Sequence, residues 1–185
     1  MTTPAAAAGI GPESPMGDVL AAYPGAQRAL FRRYHIGGCS SCGFQPTETL
    51  AALCARNNGL PVADVFAHIQ ASHEQDEKIL LTPAALAELR RQNPDLKLVD
   101  VRSREEFEAV NLPGSILLSQ PVMQEIMGRW DPQAPLVLVD HLGKQAMDAA
   151  AYFAGHGFTG VRCLRGGLDA WAVEVDPAFP RYTLG

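Results

Sequence analysis

The stretch VLVDHLGKQAMDAA, residues 137–150, predicts the fold because three kinds of local structure follow one another within it. An apolar, strand-like run ends at Asp140, a short loop containing Gly143 follows, and an Ala-rich helical pattern begins near Lys144. The loop therefore precedes a helix N-terminus, where backbone N–H groups converge on an anion. The stretch predicts an anion cradle, and Asp140 places a carboxylate at its mouth.

Strands and helices alternate on both sides of this stretch, from residue 79 onward. The predicted strands are ILL, LKLVDV, SILL, PLVLVD and VRCL. The predicted helices are AALAELRRQ, REEFEAV, PVMQEIMGRW, KQAMDAAAYFAGHG and GGLDAWAV. This alternation predicts an α/β fold, in which helices flank a parallel sheet and ligands bind at the carboxyl ends of the strands. The loop after Asp140 lies at such an end.

The first part of the chain has helical patterns only. Two short helices, interrupted at Pro24, are predicted in MGDVLAAYPGAQRALFRRYHI. A third helix is predicted in TETLAALCARNNG, where it begins at Thr47, and a fourth in PVADVFAHIQASHEQ, where it begins at Pro61. The charged run SHEQDEK then separates the two patterns. The predicted organisation is a flexible tail (1–14), a small all-α domain (15–71), a linker (72–78) and an α/β domain (79–185).

Composition excludes several classes of function. The 185 residues carry a net charge of -5, which argues against a nucleic-acid or anionic-membrane partner. The beginning of the chain lacks the basic residues of a signal peptide, and no apolar run approaches the roughly 18 residues of a membrane span. We therefore expect a cytoplasmic protein. Two of its four cysteines form a C-x-x-C pair, which in a reducing compartment indicates redox chemistry or metal binding.

The α/β part resembles the rhodanese-like family over residues 79–185. The segment LVDVRSREEFEAVNLPGSI resembles the first family signature, with matches at Asp100, Arg102, Glu106, Phe107, Pro113 and Gly114. The segment GFTGVRCLRGGLDAWA resembles the second, with matches at Gly157, Phe158, Gly166, Gly167, Ala170 and Trp171. The resemblance implies a six-residue loop that in active members opens with Cys and closes near Arg. Its amides and the helix dipole there stabilise a thiolate or persulfide.

The chemical positions of that loop differ in this chain. Asp140 occupies the position of the nucleophile, and Gln145 occupies the position of the Arg. Ala146 replaces a small hydroxyl residue, and Asn111 replaces a His before the Pro-Gly turn. The degenerate loop comprises Asp140, His141, Leu142, Gly143, Lys144 and Gln145. We expect the Asp140 carboxylate to accept backbone N–H bonds as the loop's own anion. A simple helix-capping Asp is an overlapping interpretation.

On this interpretation the α/β domain binds or orients a partner and does not transfer sulfur. A carboxylate cannot hold a sulfane sulfur, and its charge competes with thiosulfate for the same amides. His141 is the one histidine of the loop, and it could hydrogen-bond Asp140 or a ligand.

The loop HIGGCSSCGF is then the better candidate for chemistry. With its flanking helices, residues 14–70 resemble a small helical domain that is linked by name to hybrid-cluster proteins and a redox disulfide. The resemblance implies that Cys39 and Cys42 are a redox pair. Their spacing brings both sulfurs within disulfide reach, and Arg32, Arg33 and His35 favour the thiolate.

A metal site is the alternative for the same loop, and otherwise we expect no cofactor. His35, Cys39 and Cys42 form an H-x3-C-x2-C run, but no fourth zinc ligand follows at zinc-ribbon spacing. A homodimer could instead pool four cysteines around zinc or an iron–sulfur cluster. A merely structural pair also remains open.

Three functions therefore compete. The first is a redox or sulfur-handling module that acts on an unknown protein or thiol partner, with the rhodanese-like domain as scaffold. The second is an interaction protein with a metal-stabilised helical domain. The third is a sulfurtransferase that uses Cys39 as sulfur acceptor.

The other cysteines and histidines have structural interpretations. Cys54 lies on an apolar helix face and Cys163 in a predicted buried strand, so both are expected in the core. His68 and His73 are expected to face solvent or lie near the linker, and His156 to end a helix.

Overall fold

A computed structural model describes residues 9–37 and 43–182, and it divides the chain into two units, Met1–Lys78 and Ile79–Gly185. The regular secondary structure in the described part of the first unit is helical, apart from one isolated bridge between Pro15 and Thr49. Its helices are α1 (Met16–Ala22), α2 (Ala26–Tyr34), α3 (Leu50–Arg56) and α4 (Val62–Ile79), the last of which ends one residue inside the second unit.

The boundaries of these helices follow local backbone chemistry. Helix α1 ends before Tyr23, because the residue that precedes a proline is disfavoured in the helical region. Helix α3 begins at Leu50 and not near Thr47, as the sequence suggested, because the Thr49 hydroxyl accepts the Ala52 amide at 3.1 Å. The core of this unit consists of Met16, Val19, Tyr23, Ala26, Leu30, Ile36, Leu50, Leu53, Cys54, Val65 and Ile69.

Two expectations for this unit differ from the structure. Residues 72–78, expected to be a linker, are helical and continue α4, because the run contains no helix breaker and the Arg28–Asp76 ion pair holds it to α2. Within the expected flexible tail, the carbonyls of Pro12 and Ser14 accept the Ala51 and Leu50 amides. Residues 12–14 are therefore attached to the start of α3, whose amides need acceptors. Residues 1–8 lie outside the described part.

Strands and helices alternate through the second unit, as the sequence predicted. The strands are β1 (Leu80–Leu81), β2 (Lys97–Asp100), β3 (Ile116–Leu117), β4 (Leu136–Val139) and β5 (Val161–Leu164). The helices are α5 (Pro83–Gln92), α6 (Arg104–Ala109), α7 (Gln120–Arg129), α8 (Gln145–Gly155) and α9 (Gly167–Glu174). The strands form one parallel sheet in the order β1-β5-β4-β2-β3, so that β4 lies at its centre.

The sheet is covered on both faces, which confirms the predicted α/β class. Successive residues of β4 point to opposite faces: Leu138 packs with residues of α7 and α8, and Val139 with residues of α5 and α9. Both residues are fully buried. This double burial explains the continuous apolar run before Asp140. None of the described helices is long and apolar enough to span a membrane.

Candidate functional site

The loop between β4 and α8 lies at the carboxyl end of the central strand, and Asp140 is its buried acceptor. The Asp140 side chain accepts the Gly143 amide at 2.5 Å and the Gln145 amide at 2.7 Å, one on each carboxylate oxygen. Residue Asp140 is 3% exposed. Gln145 is the first residue of α8, so the carboxylate satisfies a helix-start donor. The hydrogen bonds expected for Asp140 are present, so its side chain occupies the acceptor position of the loop.

The backbone behind the loop is held by the turn that begins α9. The Leu168 amide donates to the Asp140 carbonyl at 2.8 Å, and the Asp169 amide to the His141 carbonyl at 3.1 Å. Gly167 has a φ of +62°, and a Cβ there would lie 2.4 Å from the His141 oxygen and 2.5 Å from the Asp140 oxygen. A side chain at residue 167 would therefore displace the loop.

His141 does not bond Asp140, whose two oxygens are used by amides. Residue His141 is 8% exposed. Its ring stacks on the Tyr182 ring, with 4.2 Å between the ring centroids and 26° between the ring planes. Its Nδ1 is buried, with no hydrogen-bond partner among residues 9–37 and 43–182. His141 therefore joins the loop to the end of the chain.

Tyr182 is the contact that sequence reasoning missed. Its phenol oxygen accepts a hydrogen bond from Arg102 Nη1 at 2.7 Å, and its O–H donates to Glu106 Oε1 at 2.8 Å. Burial, the largest influence, raises the pKa of the Tyr182 phenol. Both partners belong to the first family signature, but nothing in the local sequence around Tyr182 indicated them.

Arg102 connects this contact to the sheet through a buried ion pair with Asp100. The Arg102 Nη2 donates to Asp100 Oδ2 at 2.7 Å, and the two side chains are 1% and 0% exposed. The same nitrogen donates to the Val110 carbonyl at 2.7 Å. Burial opposes the charge of Arg102, but hydrogen bonds to Asp100 and Tyr182 outweigh burial and raise its pKa. Arg102 is therefore a structural cation with satisfied donors.

Burial likewise opposes the charge of Glu106, the other partner of Tyr182. The hydrogen bonds from Tyr182 and Ser103 outweigh burial, so that the pKa of Glu106 lies below its ordinary value of 4.5. Ser103 and Glu106 also form a capping box at the start of α6. The first signature thus supplies both the buried ion pair and the carboxylate that hold Tyr182.

The remaining residues of the loop are open to solvent. Leu142 is 47% exposed, Lys144 and Gln145 are exposed, and Gly143 adopts a φ of +81°. Asn111, at the position of the family His, donates a hydrogen bond from its side-chain amide to the Phe107 carbonyl in α6 at 2.9 Å. The loop therefore offers exposed surface beside a filled cradle.

The predicted pair Cys39 and Cys42 lies outside the described residues, so its geometry stays a prediction. The preceding His35 ends α2 with a φ of +57° and is exposed, with its ring edge on to Phe31 at 6.2 Å. Arg32 and Arg33 lie in the last turn of α2. Among the described residues, no three His, Cys, Asp or Glu side chains are grouped to hold a metal ion. The proposed ligand set, which includes Cys39 and Cys42, is not tested by that observation.

The other cysteines lie where the sequence placed them. Cys54 and Cys163 are both buried, and burial raises the pKa of the Cys54 thiol. The Cys163 Sγ lies 3.2 Å from the Ala146 carbonyl.

His73 lies within residues 72–78, where the sequence placed it, whereas His68 does not face solvent fully. His156 follows α8 as its C-terminal cap, as predicted. His68 and His73 are half-buried: a His68 ring nitrogen lies 3.1 Å from the Ala29 carbonyl, and the His73 ring packs edge on to Tyr23 at 5.3 Å.

Comparison with known proteins identifies the second unit. The family model described as a rhodanese-like domain matches residues 82–174. The adenylyltransferase and sulfurtransferase UBA4 of Lodderomyces elongisporus is 28% identical over 177 residues, which cover 87% of this chain but 38% of that protein. The thiosulfate sulfurtransferase GlpE of Pseudomonas savastanoi pv. phaseolicola is 35% identical over 74 residues, which cover 40% of this chain and 70% of GlpE.

Two solved structures align with about half of this chain. The Staphylococcus aureus rhodanese-like domain protein aligns with 56% of this chain and 98% of its own, at 18% identity and a TM-score of 0.45. The human single-domain sulfurtransferase TSTD1 aligns with 52% of this chain and 96% of its own, at 22% identity and a TM-score of 0.44.

Proposed function

The chain belongs to the rhodanese-like domain family, and on that premise we propose that its rhodanese-like domain is a binding scaffold without sulfurtransferase activity of its own. Cys39 and Cys42 carry the redox or sulfur-handling chemistry in this proposal. The observation behind it is the pair of amide hydrogen bonds, 2.5 and 2.7 Å, that the Asp140 carboxylate accepts.

Sulfur transfer in the loop would need a nucleophile that can form and break an S–S bond. A carboxylate has no such chemistry, and Asp140 already uses the Gly143 and Gln145 amides that would stabilise a thiolate or persulfide. An incoming thiosulfate dianion would also meet the negative charge of Asp140. The filled cradle therefore supports binding over transfer.

Thiol chemistry in this chain falls to Cys39 and Cys42 because the other two cysteines are in the core. Cys54 and Cys163 are buried, and the raised pKa of Cys54 disfavours its reactive thiolate. In the proposed reaction, the two thiols reduce the disulfide of a partner. The Cys39–Cys42 disulfide forms, and two electrons and two protons pass to the partner, which leaves as two thiols.

Sulfur transfer at Cys39 is the second candidate, because the relatives UBA4 and GlpE are named as sulfurtransferases. The Cys39 thiolate would attack the sulfane sulfur of thiosulfate, with formation of a persulfide and departure of sulfite. Both candidates use the same loop, so one set of variants separates them.

The first test is thiosulfate-to-cyanide sulfur transfer by the whole chain. We expect no transfer above that of the matched control, Cys39→Ser with Cys42→Ser. Asp140→Cys should restore little, since Gln145 and Ala146 also depart from the family pattern. Turnover that persists in the double Ser variant would contradict the inactive loop, and turnover abolished by Cys39→Ser alone would favour the sulfur acceptor.

The second test is thiol alkylation of the reduced native protein, read by mass spectrometry. Cys39 or Cys42 should be labelled first, and mild oxidation should remove that labelling and lower the mass by two hydrogens. Cys54 and Cys163 are internal controls because both are buried. If the pair resists alkylation until a chelator is added, the metal alternative with His35 replaces the redox proposal.

A further inference from the structure

A cleft of about 380 Å³ lies away from the loop, between α5, α9 and the turn that precedes β3. Its apolar wall includes Leu98, Trp171 and Val175, and its polar rim includes Arg90, Arg91 and Asn93. The volume is within the range of small-molecule sites, and the lining combines apolar and polar groups. The cleft lies near the start of β2 and β3, whereas the Asp140 loop follows the end of β4.

The charge of the cleft is positive although the chain as a whole is acidic. No acidic side chain lines it in the part of the chain that the structure describes. Arg91 forms an exposed ion pair with Glu88 in the same helix. Arg90 has no carboxylate partner among the described residues. Its Nη2 donates to the Pro113 carbonyl at 2.6 Å, and its guanidinium carbon lies 5.7 Å from the centre of the Trp171 ring.

Arg90 is thus held in place by neutral groups, with its charge uncompensated. A guanidinium fixed over an indole retains free N–H donors in a planar array, which matches the two oxygens of a carboxylate. Trp171, which is 6% exposed, contributes apolar wall, and its indole N–H is buried without an acceptor in the described residues.

We propose that this cleft binds a small organic carboxylate. The carboxylate pairs with Arg90, and the apolar body of the ligand packs against Leu98, Trp171 and Val175. The site is independent of the function proposed above, because none of its residues belongs to the Asp140 loop or to the cysteine pair.

The test uses the whole chain, labelled with nitrogen-15, and phenylacetate as the probe. The chain has two tryptophans, so the indole N–H signals provide a reporter and an internal control. Trp171 lines the cleft, whereas Trp130 lies outside it and donates its indole N–H to Glu125 at 3.2 Å. Phenylacetate should shift the Trp171 signal saturably and leave the Trp130 signal in place. The uncharged phenylacetamide is the matched control ligand.

Arg90→Gln should weaken phenylacetate binding about tenfold or more, the usual effect of losing a charged hydrogen bond. Arg129→Gln, an exposed arginine outside the cleft, should leave it unchanged. Val175→Phe should abolish binding by filling the cleft while Arg90 remains. The proposal is overturned if phenylacetate gives no saturable Trp171 shift, if phenylacetamide binds equally well, if both tryptophan signals move together, or if Val175→Phe binds as the wild type does.

Discussion

Replacing Asp140 by alanine tests whether the loop depends on its own carboxylate. The change removes the acceptor of two short hydrogen bonds, from the amides of Gly143 and Gln145. It leaves the backbone bonds that attach the loop to α9, which come from Leu168 and Asp169. The expected consequence is a loss of stability without loss of the fold.

The size of the stability loss depends on whether water can replace the carboxylate as acceptor for the two amides. Hydrogen bonds to a charged group contribute about 1.5–3 kcal/mol each, and the loss of a helix cap costs about 0.5–2 kcal/mol. Gln145 is exposed and Gly143 is half-exposed, so water can reach both amides once the carboxylate is gone. We therefore expect Asp140→Ala to lower the free energy of unfolding by about 2 kcal/mol, near the upper end of cap losses.

Urea unfolding followed by tryptophan fluorescence measures this change in the relevant unit. Both tryptophans, Trp130 and Trp171, lie within residues 79–185, so the signal reports that unit. Asp95→Ala is a matched control, because it removes an exposed carboxylate of the same unit. It should change the free energy of unfolding by less than about 0.5 kcal/mol. An Asp140→Ala loss no larger than that of the control would refute the reasoning.

The same variant should gain an anion site. With the two amides free, sulfate should stabilise Asp140→Ala more than the wild type, by about 1.4 kcal/mol at ten times its dissociation constant. Chloride at the same ionic strength controls for screening. Equal effects of sulfate on both proteins would mean that the loop amides do not form an anion cradle.

Two further predictions concern the contacts around Tyr182. Arg102→Met should lower the free energy of unfolding by about 3–5 kcal/mol, because it leaves the Asp100 carboxylate buried without its partner. The control Arg104→Met, which changes an exposed arginine, should be nearly neutral. A loss below about 1 kcal/mol for Arg102→Met would contradict the buried ion pair. Glu106 has a folded pKa below 4.5, so its stabilising contribution is present above that value and is lost as pH falls through the folded pKa. Tyr182→Phe removes a hydrogen bond to that carboxylate and should flatten the decline of stability in this acid window, and an unchanged decline would contradict the contact.

The sequence predicted the α/β unit well because its signals are local. Buried strands such as β4 are continuous apolar runs, and caps such as Thr82, whose hydroxyl accepts the Ala85 amide at 3.2 Å, precede their helices directly. The bonds of Asp140 were predictable for the same reason, since donor and acceptor lie within five residues.

The failures of sequence reasoning involve contacts that local sequence does not encode. Tyr182 meets Arg102 across 80 positions, and no motif around Tyr182 indicates that partner. The charge of residues 72–78 predicts a linker, but Asp76 in this run pairs with Arg28, which lies 48 positions away. Charge alone cannot distinguish a solvated helix from a linker.

The contact of Gly167 with the loop bears on what a substitution at position 140 can change. The loop backbone is positioned by peptide groups of α9 and by the absence of a Cβ at residue 167, neither of which involves a side chain at position 140. A substitution at position 140 can therefore change the chemistry of the loop while these contacts with α9 stay in place.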